Sequence, residues 1–222
     1  MGHTVCPATV AAAGWRLADP ALADAGGTPC RAVPGGSGVG EVAAVARGQP
    51  GEARGVSGGA TFARGAAGAY RYRLWRRWGE GAAVLFVLLN PSTADADHDD
   101  ATLRRCVAFA RRWGYAGLEV GNLFALCATD ARRLRTVADP VGRANDRYLR
   151  RAALGVDLVV VGWGVAGGHL GRDAVVGRLL ARAAPGRLFC LGRTAAGHPR
   201  HPLYAAGGLV PVPFTPLQGS HP

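Results

Sequence analysis

The sequence contains no lysine: all 26 of its basic side chains are arginine. A GC-rich coding bias, which also favours its abundant Ala and Gly, is the simplest account of that choice. No apolar run is long enough to span a bilayer, so no membrane association is expected. The first residues lack a basic segment followed by an apolar core, so no signal peptide is expected either. Cysteine is sparse and scattered: the five are Cys6, Cys30, Cys106, Cys127 and Cys190, an odd number with no CxxC pair. That spacing excludes a disulfide framework and a zinc or iron–sulfur site, and it fits a reduced cytoplasm. Acids are scarce too, 15 against 26 arginines, for a net charge of +11.

That charge is unevenly placed. Residues 1–60 carry four Arg and four acids, so the whole excess falls in 61–222. A basic folded domain is the electrostatic footprint of a polyanion, most often nucleic acid. Residues 1–60 are also rich in Ala, Gly and Pro without a helical or strand period, and Gly35–Gly36 and Gly58–Gly59 sit in linker-like composition. We expect a disordered tail over 1–60, one domain over 61–216, and a short C-terminal tail over 217–222.

Within the domain, Tyr70, Tyr72 and Leu74 alternate with Arg71, Arg73 and Trp75, the period of a half-buried strand with an Arg-bearing face. Ala83 to Val87 is an apolar run without charge, the pattern of a strand buried on both faces. It ends in Asn90-Pro91-Ser92-Thr93, and a proline there cannot continue a ladder. A helix follows to about Trp113, capped by Asp99 or Asp100, with Gly114 as its stop. Three further strands are expected: 118–124, 158–161 and 187–191. Helices near 143–153 and 172–184 separate them. Strands alternating with helices imply right-handed crossovers. The expected fold is α/β, a three-layer sandwich around a central, mainly parallel four-stranded sheet.

The carboxyl ends of parallel strands share one sheet edge, where α/β proteins place their sites. The four ends here are Asn90-Pro91-Ser92, Asn122-Leu123-Phe124, Trp163-Gly164 and His201-Pro202-Leu203, and we expect them to converge. The acids after the first end, Asp95, Asp97, Asp99 and Asp100 with His98, admit two readings. They could hold a hard divalent cation, as in a metal-dependent nuclease or phosphoesterase, or they could cap the helix and offset its dipole. We favour the cap, and expect no metal and no cofactor. His198, flanked by Gly, is expected to be exposed and secondary.

Residues from about 60 to 216 resemble a widespread bacterial and phage family catalogued as a domain of unknown function. The motifs that carry the resemblance are YRYRLWRRW, LNPSTADADHDDATLRRC, FARRWGYAGLEVGNLFALCATD, DPVGRAND, VVVGWG and LGRTAAGHPRHPLY. The order and spacing of the strand ends are also distantly similar to the uracil-DNA glycosylase superfamily. There a GQDPYH-like or GINPG-like turn positions the attacking water, an Asn ending LLLN reads the flipped base, a strand ends in WG, and an HPSP-like loop carries a His and a wedge. This second resemblance implies a hydrolase of N-glycosyl bonds that acts on DNA. Asn90 and His201 would be catalytic, aided by Asp95 or Asp99. Pro91, Ser92, Thr93, Asn122, Phe124, Trp163, Gly164, Pro202 and Leu203 would bind substrate. Within that set Phe124 or Trp163 would stack on the base, and Leu203 would fill the vacated place in the duplex. The continuation Ser92-Thr93-Ala94-Asp95 and the HPLY loop depart from the uracil-excising pattern and imply a modified or damaged base. DNA repair, base modification and defence against modified phage DNA are the contexts implied. Arg side chains would contact the phosphates of a DNA partner, with the protein a monomer. A non-catalytic module that binds a nucleotide or modified base remains a further alternative.

Overall fold

The computed structural model describes residues 44–47, 56–92 and 98–216, all within one unit that spans 41–222. Its centre is the charge-free run at Ala83–Leu88 (β4), in which all six residues are buried. Ala83, Leu85 and Val87 enter one core, and Val84, Phe86 and Leu88 enter another on the opposite face. A strand buried on both faces accepts a charge only where an opposite charge meets it, and among the described residues nothing of that kind faces this run, which is apolar throughout. Burying side chains of this size stabilises the fold by about 1.5–3 kcal/mol each.

In chain order the remaining strands are β1 (Ala44–Arg47), β2 (Ser57–Gly65), β3 (Gly68–Arg77), β5 (Gly117–Asn122), β6 (Leu158–Val161), β7 (Leu188–Cys190) and β8 (Val212–Pro213). Three α-helices alternate with the central strands: α1 (Ala101–Arg112), α2 (Asn145–Leu154) and α3 (Arg172–Ala183). The strands lie in the order β1-β2-β3-β5-β4-β6-β7-β8. Parallel pairing links β5, β4, β6 and β7, while the β1–β2, β2–β3, β3–β5 and β7–β8 pairs are antiparallel. The architecture is therefore mixed α/β with a larger sheet than expected: eight strands among the described residues rather than a mainly parallel four.

The difference comes from four antiparallel strands at the sheet margins, β1, β2 and β3 on one side and β8 on the other. The boundary expected at residue 60 falls inside β2, so Gly58 and Gly59 are strand residues rather than linker. A Cβ on Gly58 would come within 2.8 Å of the Arg76 side chain, so the glycine leaves room for that arginine to lie across β2. Residues 44–47 form β1 paired with β2, so the disorder expected over 1–60 does not hold there either; the rest of that expectation lies outside the described residues, as does the tail at 217–222.

A bulge then reverses the expected faces of β3. Thr61 pairs with Arg73 but Phe62 pairs with Arg71, which leaves Tyr72 as an extra residue. An extra residue breaks the two-residue period and re-aims the side chains beyond it. Tyr70 and Tyr72 thus pack on the side of α2, where Tyr72 stacks on Tyr148 at 5.1 Å, while Leu74 packs on the side of α1. Arg73 reaches Glu119 of β5, with Nη2 donating at 2.6 Å and Nε at 2.8 Å. The strand has no single arginine face. Arg71 and Arg76 are each only 5% exposed.

Helix α1 begins as expected. Asp100 is its N-cap, its Oδ1 accepting from the Leu103 N–H at 2.7 Å, and Gly114 follows the helix with φ of 82°. Its inward face is Leu103, Cys106, Phe109 and Ala110, against the core of Val84 and Phe86. On the other side of the sheet, α2 buries Leu149 and Ala153, and α3 buries Val176 and Leu180. No helix among the described residues is long and apolar enough to cross a membrane.

Candidate functional site

The carboxyl ends of β4, β5 and β6 and the loop after β7 surround one cavity of about 720 Å³. This is within the usual range for small-molecule sites, about 300–1,000 Å³. Of the residues singled out from sequence, the structure brings Asn90, Ser92, Asn122, Trp163, Gly164, His201 and Leu203 to its lining. They come from four separate segments of chain, and only the parallel register of the strands puts them together.

Asn90 is half-buried, and its amide is committed to the backbone. Nδ2 donates to the Pro91 carbonyl at 2.9 Å and to the Ala128 carbonyl at 2.7 Å. With both N–H groups used, Oδ1 is the atom left to accept from water or ligand. Pro91 itself is buried and does not line the cavity. Its carbonyl also accepts from the Ala128 N–H at 3.0 Å, which ties the turn to the segment after β5.

Asn122 is the opposite case. It is 2% exposed, and both its Oδ1 and its Nδ2 are buried without a hydrogen-bond partner among the described residues. Leaving a buried polar group unsatisfied costs about 1–3 kcal/mol, so such a group in a cavity wall is a strong candidate for contact with a ligand or an ordered water. Its backbone, by contrast, is clamped. Asn145 Nδ2 donates to the carbonyls of Asn122 and Leu123, both at 3.0 Å, and Arg172 Nε donates to Leu123 O at 3.2 Å. Arg172 is held in turn by Asp146, Nη2 to Oδ1 at 2.6 Å. The preceding turn is set by Asp139, whose Oδ1 accepts from the N–H groups of Val141 and Gly142. The segment 139–146 is therefore the bracket that fixes where Asn122 points, a role its polar composition did not reveal.

His201 has a defined tautomer. Its Nδ1 accepts from the Leu203 N–H at 3.3 Å, which makes Nε2–H the donor. Burial holds its pKa below the ordinary value of 6.5, and the nearby Asp100 carboxylate opposes that shift only in part. The ring is thus a neutral donor at neutral pH. Gly162 lets this loop approach: a Cβ there would meet Pro202 Cδ at 2.8 Å and the Arg200 carbonyl at 3.1 Å. Pro202 is buried in that contact rather than in the cavity wall, while Leu203 is 42% exposed at the rim. The Trp163 indole is almost fully buried, with its edge on Phe214 and its Nε1 unpartnered.

Besides Pro91 and Pro202, two further expected site residues are elsewhere. Phe124 is completely buried in the core shared with α2 and α3, beside His169, and is not available to stack on a ligand. Two residues beyond the end of β5 the chain has already turned into that layer. Asp99 receives Nε and Nη2 of the buried Arg76 on its Oδ1, at 2.9 and 2.7 Å, and lies outside the cavity lining. Thr93 and Asp95 lie outside the described residues. Asp97 does as well, and among the described residues no group of three or more His, Cys, Asp or Glu side chains gathers to hold a metal ion. His198, expected to be exposed, is half-buried 3.8 Å from Asp173.

Several lining residues carried no signal in the sequence. Arg71 looked like a surface residue of an alternating strand until the bulge turned it inward. Thr194, Arg200 and Tyr204 enter from the loop after β7, and Asp100, read from the sequence only as a cap or a metal ligand, lines the cavity as well as capping α1.

No curated protein and no solved structure matches the chain significantly. The family described as "Protein of unknown function (DUF1643)" matches residues 71–203, from the inward-turned Arg71 of β3 to the rim residue Leu203, and the chain belongs to that family.

Proposed function

We propose that this protein is a DNA glycosylase-like hydrolase that takes a modified or damaged base out of the stack and cleaves its N-glycosidic bond. The observation that carries this reading is Asn122, a buried amide with a donor and an acceptor both vacant, in the wall of a cavity that also holds a neutral histidine donor. A nucleobase edge presents the matching pair of groups, and base-acting enzymes read flipped bases in this way. The distant resemblance to the uracil-DNA glycosylase superfamily supports the same roles at Asn90, Asn122 and His201.

The chemistry follows from the atoms available. Water held by Asn90 Oδ1 attacks the anomeric carbon, and the glycosidic bond breaks with its electron pair leaving on the base. His201 Nε2–H donates to the base oxygen on which negative charge develops, an interaction of about 3 kcal/mol in such sites. The proton shed by the attacking water is taken up by solvent or by the departing base. The products are a free base and an abasic sugar. Leu203 at the rim occupies the space left in the duplex, and the arginines of this basic domain hold phosphate in a salt-dependent way. No metal and no organic cofactor take part in this mechanism.

The test is an abasic-site assay on DNA carrying a panel of modified bases, comparing wild type with Asn122→Ala, Asn90→Ala and His201→Ala. Excision that survives EDTA and drops in all three variants is expected. Undiminished excision in the variants would remove the residue roles. Strand cleavage abolished by EDTA would favour a metal-dependent nuclease. Salt-sensitive binding of one base without turnover would make the protein a binding module.

A further inference from the structure

We infer that a single water molecule is bound in a second, smaller cavity behind Trp163, and that His198 and Asp173 hold the indole in place through it. The site is separate from the large cavity, and its occupancy does not depend on the reaction proposed above.

Trp163, Asp173, His198, Pro199 and Phe214 line this cavity, which encloses about 10 Å³. That is room for one water and for nothing larger. Three polar side chains meet there without bonding to one another. Trp163 Nε1–H and His198 Nδ1 are both buried without a hydrogen-bond partner among the described residues. Asp173 commits Oδ1 to the Ala174 N–H at 2.8 Å, while its Oδ2 stands 3.8 Å from His198 Nδ1. No hydrogen bond reaches that far, and a polar pair at such a separation is where a bridging water belongs. Two glycines let the groups come together. A Cβ on Gly167 would lie 2.8 Å from Trp163 Nε1, and one on Gly168 would lie 3.9 Å from Asp173 Oδ2.

The donors and acceptors match one water. An indole N–H only donates, so the occupant must accept from it, which excludes a metal cation or an ammonium group. Nδ1 of a neutral histidine accepts when the ring hydrogen is on Nε2, and a carboxylate oxygen accepts. A water takes the Trp163 hydrogen and gives its own two to His198 and Asp173. With bonds of ordinary length, acceptors 3.8 Å apart subtend about 85° at the water oxygen, an angle its two hydrogens can serve. The indole lines the large cavity as well, whereas His198 and Asp173 do not. It is the wall between the two, edge-on to Phe214 at 5.8 Å. Any ligand in the large cavity therefore meets a ring whose tilt is set from behind. His198 and Asp173 are positioning residues for that ring.

NMR of the full chain, isotope-labelled at the tryptophan nitrogen, is the test, and the Trp163 signal is the one that disappears in Trp163→Phe. Its N–H is expected to show a cross-peak to water with the sign of a molecule held longer than the protein takes to tumble. His198→Leu removes an acceptor and is expected to abolish that cross-peak and move the N–H signal upfield. His198→Gln and Asp173→Asn each keep an acceptor and are expected to retain both features. An N–H signal unmoved in His198→Leu, or lost alike in all three variants, would overturn the inference. A wild-type crystal structure that orders water is expected to show one oxygen within about 3.2 Å of all three polar atoms. An empty cavity, a direct His198–Asp173 bond with the indole left unpaired, or an indole bonded to a protein carbonyl would overturn it. The wild-type observations need no variant, so they stand even if His198→Leu does not fold. A bound water in a protein that excises no base would leave this inference and remove the glycosylase reading. Excision by a protein whose small cavity is empty would do the reverse.

Discussion

Asn90 and Asn122 end adjacent parallel strands, β4 and β5, yet the fold treats the same side chain in opposite ways. At the end of β4 the amide is spent on structure: both N–H groups hold backbone carbonyls, and what remains is one acceptor. At the end of β5 the backbone is held by other residues, Asn145 and Arg172, and the amide itself is left with nothing. One asparagine builds the turn. The other is carried by a frame so that its polar atoms stay vacant in the cavity wall. A side chain that stabilises the fold and one reserved for a ligand can therefore be told apart by where their hydrogen bonds go.

The contrast is open to direct attack. The largest effect is expected from Asn122→Ala, which should lower base excision by about 10²–10³-fold, as removal of a preorganised polar contact does in other sites. Its melting temperature should hold or rise, because the change removes two unsatisfied polar atoms. Asn90→Ala should instead lower stability, by about 1–2 kcal/mol for two hydrogen bonds lost, in urea unfolding. The reverse pattern, Asn122→Ala unstable and Asn90→Ala neutral, would undo the distinction.

Asn145→Ala should be next. It strips both donors from the buried carbonyls of Asn122 and Leu123 and should cost about 2–4 kcal/mol in the same unfolding measurement. Asn145→Asp should not rescue it, since a carboxylate offers these carbonyls no N–H.

A smaller effect concerns pH. The folded-state pKa of His201 lies below its unfolded value of 6.5, so the unfolded chain binds more protons in that window. The stability this group contributes is present above 6.5 and is lost as pH falls through the depressed folded value. Protonation also puts a hydrogen on Nδ1, against the Leu203 N–H. Urea titrations across mildly acid pH should show wild type losing stability relative to His201→Gln, and excision should fall over the same range. A stability difference independent of pH would contradict the buried neutral ring. The smallest change is Asp100→Ala. Loss of the cap on α1 should cost about 1 kcal/mol in thermal unfolding and leave the β5 side of the site intact.

Much of this arrangement was legible along the chain, and the reason differs by region. The buried strands β4 and β6 carry unbroken apolar runs because both their faces are covered, so the end of each run marks the sheet edge, as at Asn90 and Trp163-Gly164, while β5 interrupts its run only at Glu119, which Arg73 neutralises, before it ends at Asn122. The antiparallel hairpin is different. Its glycines imitate a linker, and the extra residue at Tyr72 breaks the alternation on which a sequence reading depends. Arg71 was hidden for that reason. Phe124 was misplaced because nothing local says that the chain dives into the α2–α3 layer so soon after β5.

Sequence alone determined the strand–helix alternation, an acidic cap for α1 at Asp99 or Asp100, the basic character of residues 61–222 and the chemical types at the strand ends. These depend on neighbours in the chain, on periodicity and on charge. Tertiary structure decided which of those groups are occupied and which are vacant, where Arg71 turns, and that Asn145 and Arg172 serve a residue more than twenty positions away. Hydrogen-bond satisfaction is a property of the packed molecule: an amide is spoken for or left open only once the carbonyls around it have been placed.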